Sequence, residues 1–154
     1  MRQTFARRSV LGFGVGGAVS ALILNLTTRS YAAPIQFKAT LNGASEVPAN
    51  TTTGTGTFTA SFDPATKMLT WNGTYTGLTG DPTAAHLHGP AEAGKNAGVE
   101  VWVSTKGSPF PSAFSGSATL TDGQASDLQS GMMYVNIHTA ANPGGEIRGQ
   151  VVKV

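Results

Sequence analysis

The sequence predicts an all-β domain, a Greek-key-like antiparallel β-sandwich or small barrel of about eight strands, preceded by an N-terminal signal helix. The first reason is composition, because the 154 residues include 20 glycines and many threonines, and few segments favour a long helix. The second is the alternation of apolar and polar residues in several short segments. The third is that turn residues separate these segments at short intervals.

The first three predicted strands show the alternation most clearly. Apolar side chains take every second position, with threonine and other polar residues between them, so each strand is expected to bury one face. The alternating sets are Ile35, Phe37, Ala39 and Leu41, then Phe58, Ala60 and Phe62, then Leu69, Trp71, Gly73 and Tyr75. Residues 46–50 break the first strand, and the Asp-Pro turn over 63–66 ends the second.

The second half of the chain continues with shorter elements. A strand that carries His86 and His88 comes first, and a polar loop over 89–98 separates it from a strand with Val99, Val101 and Val103 on one face. A short strand over 117–120 follows, and then one or two helical turns over 122–130, capped by Thr121 or Asp122. The chain ends with a strand over 133–138, a tight turn over 142–145 and a last strand over 146–152. In the strand over 133–138, alternation places Tyr134, Asn136 and His138 on one face.

The N-terminal segment resembles an export signal. Arg7-Arg8-Ser9-Val10-Leu11 is similar to a twin-arginine motif, an uncharged stretch over 9–28 follows it, and Ser30-Tyr31-Ala32 offers the small residues that a signal peptidase reads. We therefore assign residues 1–33 to the signal and 34–154 to the folded domain, and we expect a periplasmic or secreted protein without a membrane segment after cleavage. The alternative is an uncleaved anchor, because the uncharged stretch is long enough to span a bilayer.

The distribution of charge argues against binding to nucleic acid. Four of the five arginines lie in the first 29 residues, and from residue 33 onward six positive side chains stand against eight negative ones, a balance of about −2. The chain also contains no cysteine, which excludes disulfides, thiolate metal sites and a cysteine nucleophile. The sequence does not indicate an oligomeric state.

The three histidines of the chain all fall in predicted strands. His86 and His88 share one face of their strand, roughly 6.5–7 Å apart, and His138 ends a later strand that could lie beside them. Neutral imidazoles are ligands that suit copper and zinc, and three of them leave coordination positions open. We predict a metal site formed by His86, His88 and His138. The alternative is that each is a hydrogen-bonded core residue.

Three further residues are predicted to support this site. Arg148 is the only arginine after residue 29, and its permanent charge would attract a small anion such as superoxide, which makes it the candidate catalytic residue. Asn136 should share the face of His138 and orient it, and Glu146 should share the face of Arg148 and hold it by a bidentate ion pair. Alternatively, Glu146 and Arg148 form an ion pair that only closes the last strand.

Four motifs in order resemble the CHRD domain family, which is named for the repeated domain of chordin and is widespread in bacterial exported proteins. The motifs are residues 37–43 with Glu46-Val47-Pro48, then 85–91, 134–139 and 143–150. The similarity covers nearly the whole mature chain, from about residue 37 to 150. It implies an exported domain, and the biochemical role of the family is poorly defined.

The histidine pattern also resembles that of copper-containing superoxide dismutases. Those Greek-key proteins carry a His-x-His pair on one strand, a later histidine at the end of a hydrophobic strand, and an arginine near the copper. By this resemblance His86, His88 and His138 are copper ligands and Arg148 is the arginine. This chain has no fourth histidine to bridge to zinc, no evident zinc-ligand set and no disulfide, so the resemblance implies a copper-only relative, with zinc as the second choice of metal.

Three functions are consistent with the sequence. The first is an exported copper oxidoreductase with superoxide dismutase-like activity, since copper can exchange one electron in an imidazole site. The second is a non-catalytic extracytoplasmic binding or matrix module, in which the histidines make core hydrogen bonds. The third is a copper carrier that stores or delivers the ion. The sequence does not decide whether the protein is an enzyme.

Overall fold

A computed structural model describes residues 32–105 and 110–154. The predicted signal helix and the twin-arginine motif lie outside the described residues. In the part of the chain that is described, no helix has the length and apolar character that a membrane crossing would need.

The described residues form nine strands and one α-helix. Their bounds are β1 (Ile35–Asn42), β2 (Thr55–Asp63), β3 (Met68–Thr76), β4 (Pro82–His88), β5 (Val99–Trp102), β6 (Ala113–Thr119), α1 (Asp122–Gln129), β7 (Tyr134–Thr139), β8 (Ile147–Gln150) and β9 (Val152–Lys153), with a short 3-10 turn over Gly43–Ser45. The predicted all-β class and the number of strands are thus confirmed. The helix begins where Thr121 caps it, with its hydroxyl accepting from Gln124 and the Gln124 side chain accepting from the Thr121 backbone.

Eight of the strands form one antiparallel sheet that is nearly closed into a barrel. Their order is β5-β4-β7-β8-β1-β2-β3-β6, and the short β9 pairs with β1 beside β8. The predicted last strand is therefore divided, because the backbone N–H of Val151 donates to Met133 on the β7 side before β9 moves to β1. The order places β7 between β4 and β8, so two strands with histidines and the strand with Arg148 are neighbours.

Alternation along β1, β2 and β3 builds most of the barrel core. In-register pairs such as Phe37 with Ala60 and Phe62 with Leu69 turn apolar side chains inward, while the intervening threonines remain exposed. The predicted short strand over 117–120 is longer, because pairing with β3 begins at Ala113. Gly116 lies opposite Trp71 there, and a Cβ on Gly116 would lie 2.6 Å from the indole ring. A glycine is needed at this position for the tryptophan to pack.

Alternation fails to predict exposure in β7, whose six residues are all buried. Val135 and Ile137 enter the apolar core, as expected. Tyr134, Asn136 and His138 point to the other face of the sheet, where loops cover them: the backbone N–H of Ala97 donates to the Tyr134 hydroxyl at 3.2 Å. The side-chain amide of Asn96 in turn donates to the carbonyl of Val47 at 3.0 Å. A polar cluster is thus enclosed between the sheet and two loops.

Candidate metal centre

The register of β4 against β7 brings the three histidines together. His86 lies opposite Asn136, His88 lies opposite Tyr134, and Ala84 lies opposite His138. Since side chains alternate along both strands, His86, His88 and His138 all project from the same face. One nitrogen from each ring can be chosen so that all three lie within 4.8 Å of one another.

The three imidazoles are buried and in mutual contact. Ring centroids are 5.4 Å apart for His86 and His88, 4.9 Å for His86 and His138, and 6.0 Å for His88 and His138. His86 Nδ1 and His138 Nε2 lie 3.0 Å apart and are hydrogen-bonded to each other. The rings therefore surround one small volume, which is the arrangement that a shared cation requires.

Backbone carbonyls fix the protonation of two of the rings. His88 Nδ1 lies 3.0 Å from the carbonyl oxygen of Ala97, and His138 Nδ1 lies 2.9 Å from that of Pro143. A carbonyl can only accept, so each Nδ1 carries the hydrogen and each Nε2 presents a lone pair. A carbonyl behind the ring is the support that metal-binding histidines commonly have.

Two ring nitrogens are buried without a partner. Neither His86 Nε2 nor His88 Nε2 makes a hydrogen bond within the described residues. A buried polar atom without a partner costs about 1–3 kcal/mol, and the loss would be removed by an ion that accepts the lone pairs. The donor set is nitrogen alone, with no carboxylate among the ligands, which fits copper or zinc rather than calcium or magnesium.

The histidines are also held in the neutral form that binds metals. Burial, reinforced by the neighbouring histidines His138 and His88, lowers the pKa of His86 to about 4. Burial likewise lowers the pKa of His88 and of His138, against the hydrogen bonds to Ala97 and Pro143. No proton has to be displaced from these rings for a cation to bind at pH 7.

Two aromatic side chains orient the ligands. Trp102 lies opposite His86 in the β4–β5 register, and its ring meets that of His86 edge-on with centroids 4.2 Å apart. Trp102 is 41% exposed, so it forms part of the surface above the centre. Tyr134 stacks on His88 with an angle of 2° between the rings. Neither contact is evident from the sequence, although Tyr134 has the spacing to share a face with Asn136 and His138.

Arg148 reaches the same cluster but is engaged with a loop. It lies opposite Asn136 on β8, is 2% exposed, and has its guanidinium carbon 3.3 Å from the centroid of Tyr134. Its nitrogens donate to Asn96 Oδ1 at 2.9 Å and to the carbonyl of Lys95. Because β7 separates β8 from β4, the tyrosine ring stands between Arg148 and His88. The guanidinium supports the loop that carries the Ala97 carbonyl.

The expected ion pair between Glu146 and Arg148 is wrong for the described residues. Glu146 Oε1 accepts from the Thr52 hydroxyl and the Thr79 backbone N–H, both at 2.7 Å. Its Oε2 accepts from the hydroxyls of Thr139 and Thr79 at 2.6 and 2.8 Å. Glu146 precedes the first residue of β8, so alternation along that strand does not fix its direction. Its hydrogen bonds instead connect the residue before β8 to Thr52, to Thr79 and to Thr139 at the end of β7.

The carboxylate that lies near Arg148 is Glu46, which the sequence pattern suggested only as part of a strand break. Glu46 is 6% exposed, and burial raises its pKa to about 7 against the opposing effects of Arg148 and Asn136. The Asn136 side chain also acts on His88, raising its pKa, so it lies between this carboxyl and the histidines. The signal was present, because Glu46-Val47-Pro48 is one of the motifs that carry the family resemblance.

Comparison with known proteins supports the family. A family model described as the CHRD domain matches residues 37–151, a region that contains all three histidines, Glu46 and Arg148. No match was found among curated proteins, and none among solved structures. The chain belongs to the CHRD domain family.

Proposed function

We propose that the protein binds one copper ion through His86, His88 and His138 and uses it for one-electron chemistry on a small oxygen species such as superoxide. Two observations support this proposal: one nitrogen from each of three buried imidazoles lies within 4.8 Å of the others, and His86 Nε2 and His88 Nε2 have no hydrogen-bond partner within the described residues. A purely structural histidine would be expected to have its hydrogen bonds satisfied.

Copper is favoured over zinc on chemical grounds. Three imidazoles leave positions open for a substrate, whereas a structural zinc site is usually closed by a fourth protein ligand. The described residues offer no further histidine, cysteine or carboxylate in the ligand group. When bound, copper supplies an ion that can take up and give back one electron in this ligand field.

The chain's own residues hold the ligands rather than take part in bonds to the substrate. The carbonyls of Ala97 and Pro143 select the nitrogen that faces the ion, and Trp102 and Tyr134 fix the planes of two rings. In this proposal Arg148 acts as a positioning residue. Its charge adds to the attraction for an anion, while its hydrogen bonds hold the loop behind His88.

The test is metal loading followed by an assay for superoxide consumption. Protein purified without a histidine tag is exposed to copper and zinc, and bound metal is measured by elemental analysis and by the spectrum of the copper form. We expect one copper per chain and consumption of superoxide above that of free copper in buffer. His138→Ala should lose both, while Thr59→Ala, an exposed change on β2, should keep both. Stoichiometric copper with no activity would contradict the redox part.

A copper carrier is the second candidate, and the position of Arg148 favours it. The guanidinium donates to the loop and lies over the ring of Tyr134, so its hydrogen-bond donors are engaged away from the ligand nitrogens. A carrier would bind copper without turnover and release it to a chelating acceptor. Transfer of copper to such an acceptor faster than its spontaneous dissociation would support the carrier.

Export is part of the proposal. It rests on the twin-arginine motif at Arg7 and Arg8 and on the small residues before Ala33. Replacement of both arginines by lysine should retain the protein in the cytoplasmic fraction. Unchanged export of that variant would contradict a twin-arginine route.

A further inference from the structure

We propose that Glu46 is the proton-exchanging carboxyl of the metal centre, protonated when no metal is bound and ionised when a divalent ion occupies the three histidines. The inference rests on the metal-binding part of the proposed function and is independent of its redox part. It concerns a residue outside the ligand set, on a loop that follows β1.

The position of Glu46 is defined by close contacts. Its Oε1 is buried and makes no hydrogen bond within the described residues. A Cβ placed on Gly145 would lie 2.4 Å from this oxygen and 2.6 Å from Asn136 Nδ2. The carboxyl of Glu46 and the amide of Asn136 are therefore neighbours, and both lie against Gly145. Asn136 Oδ1 is a second buried atom without a partner among the described residues.

One side chain separates Glu46 from the ligands. Asn136 Nδ2 lies beside the Glu46 carboxyl, and Asn136 projects from the same face of the sheet as the histidines, opposite His86 on β4 and two residues before His138. Charge placed among the histidines is therefore felt by Glu46 across a buried region, where electrostatic interactions are weakly screened.

Arg148 is the charged group that acts on Glu46 among the described residues. No ion pair joins the two within the described chain, because the guanidinium donates to Asn96 and Lys95. The carboxyl therefore lacks the partner that would keep a buried glutamate ionised.

Glu46 lies in the walls of two cavities. Glu46 lines a cavity of about 260 Å³ beside the turn over 142–145 and another of about 380 Å³ beside residues 93–94. Among the described residues, Arg148 is the only other titratable group in the walls of these two cavities. A proton can leave Glu46 for solvent without crossing the ligand cluster.

The direction of the coupling follows from charge. Burial raises the pKa of Glu46 to about 7, so near neutral pH a large share of the molecules carries the proton. A divalent cation two side chains away stabilises the carboxylate, so the O–H bond breaks, its electron pair stays on oxygen, and the proton passes to water. The lowered pKa values of the histidines mean that they have little proton to give at this pH.

The experiment is calorimetric titration of the full chain with Cu²⁺ between about pH 6 and pH 8, in buffers of different ionisation enthalpy, which counts the protons released. At about pH 6 we expect close to one proton per copper, falling towards zero at pH 8. Integrated over this range, that release means that the dissociation constant should tighten about tenfold between pH 6 and pH 8. Glu46→Gln should release no proton and bind with a flat pH dependence, while the exposed Glu92→Gln should behave as the wild type.

The outcomes separate the two proposals. If the wild type binds no copper, the proposed function and this inference both fail. If it binds copper and Glu46→Gln releases as many protons as the wild type, only this inference is overturned. Infrared difference spectra of the wild type provide a second measurement should Glu46→Gln fail to fold. The band of a protonated carboxyl at about pH 6 should disappear on copper addition, and its persistence would overturn the inference.

Discussion

The ring of Tyr134 lies parallel to the ring of His88, with centroids 4.9 Å apart. The guanidinium carbon of Arg148 lies 3.3 Å from the centroid of the same tyrosine ring. The Tyr134 hydroxyl accepts a hydrogen bond from the backbone N–H of Ala97. Ala97 in turn accepts from the Nδ1 of His88. Tyr134 thus couples the charged side chain on β8, the loop after β4 and one predicted metal ligand into a single packed unit.

Arg148→Lys tests this unit. A lysine keeps the charge but cannot reproduce the two donors to Asn96 and Lys95 or the flat contact with Tyr134. We expect the free energy of unfolding of the metal-free protein to fall by about 2 kcal/mol. Copper binding should weaken about tenfold or more, since groups that orient a ligand typically have effects of that size.

Urea unfolding and a competitive copper titration provide the two measurements. Lys153→Ala, an exposed change on β9, is the control and should stay within about 0.5 kcal/mol of the wild type. Wild-type stability and affinity in Arg148→Lys would show that charge alone matters at this position.

The strands were predictable because the barrel core follows simple alternation. Pairs such as Phe37 with Ala60 need only two-residue periodicity, and the His-x-His spacing places two imidazoles on one face for the same reason. The approach of His138 could only be hypothesised from the sequence, since it depends on β7 pairing with β4 in a specific register. The sequence offers no local signal for that pairing.

The supporting residues were less predictable because loops supply them. The carbonyls of Ala97 and Pro143 carry no side-chain information, and Glu46 reaches the cluster only because its loop folds back over β7. Glu146 shows the limit of alternation, which applies within a paired strand and not to the residue before it. The pairing of Glu146 with Arg148 was therefore an unsafe extension of the β8 pattern.

Gly145→Ala should disturb the polar cluster, while Gly144→Ala should not. Gly145 has a φ of +132°, and an added Cβ would lie 2.4 Å from Glu46 Oε1 and 2.6 Å from Asn136 Nδ2. No described atom lies within 4 Å of a Cβ added to Gly144. We expect Gly145→Ala to lower the free energy of unfolding by about 2–3 kcal/mol, from backbone strain and overpacking together. Equal thermal unfolding of the two variants would contradict this account.

Glu146→Gln should destabilise the domain. Although burial raises the pKa of Glu146, hydrogen bonds from Thr139, Thr52 and Thr79 outweigh it and lower the pKa to about 2. An amide replaces one acceptor oxygen with a donor, which leaves hydroxyl and N–H donors facing an NH₂ group. The expected loss is about 2–4 kcal/mol, measured by urea unfolding at pH 7. Glu92→Gln, an exposed change of the same type in the loop after β4, is the control, and an equally small effect for both would show that the carboxylate is dispensable.

Glu46→Gln should change how the stability of the metal-free protein depends on pH. The pKa of Glu46 is raised from 4.5 to about 7 in the folded state, so its contribution is complete below pH 4.5 and is lost as the pH rises through 7. The pKa of His86 is lowered from 6.5 to about 4, so its contribution is complete above pH 6.5 and is lost as the pH falls through 4. The slopes that these two groups give to the free energy of unfolding therefore oppose each other between pH 4.5 and 6.5.

His88 and His138, whose pKa values are also lowered, add to the rising slope of His86, and Glu46 offsets part of it in the wild type. Glu46→Gln removes one slope, so its free energy of unfolding should rise with pH between 4.5 and 6.5 more steeply than that of the wild type. At pH 8 the variant should equal or exceed the wild type, since a neutral amide avoids the cost of a buried carboxylate. Urea unfolding in the presence of a chelator measures both curves, and Glu92→Gln should follow the wild type. Parallel curves for Glu46→Gln and the wild type would mean that the Glu46 carboxyl titrates as it does in the unfolded chain.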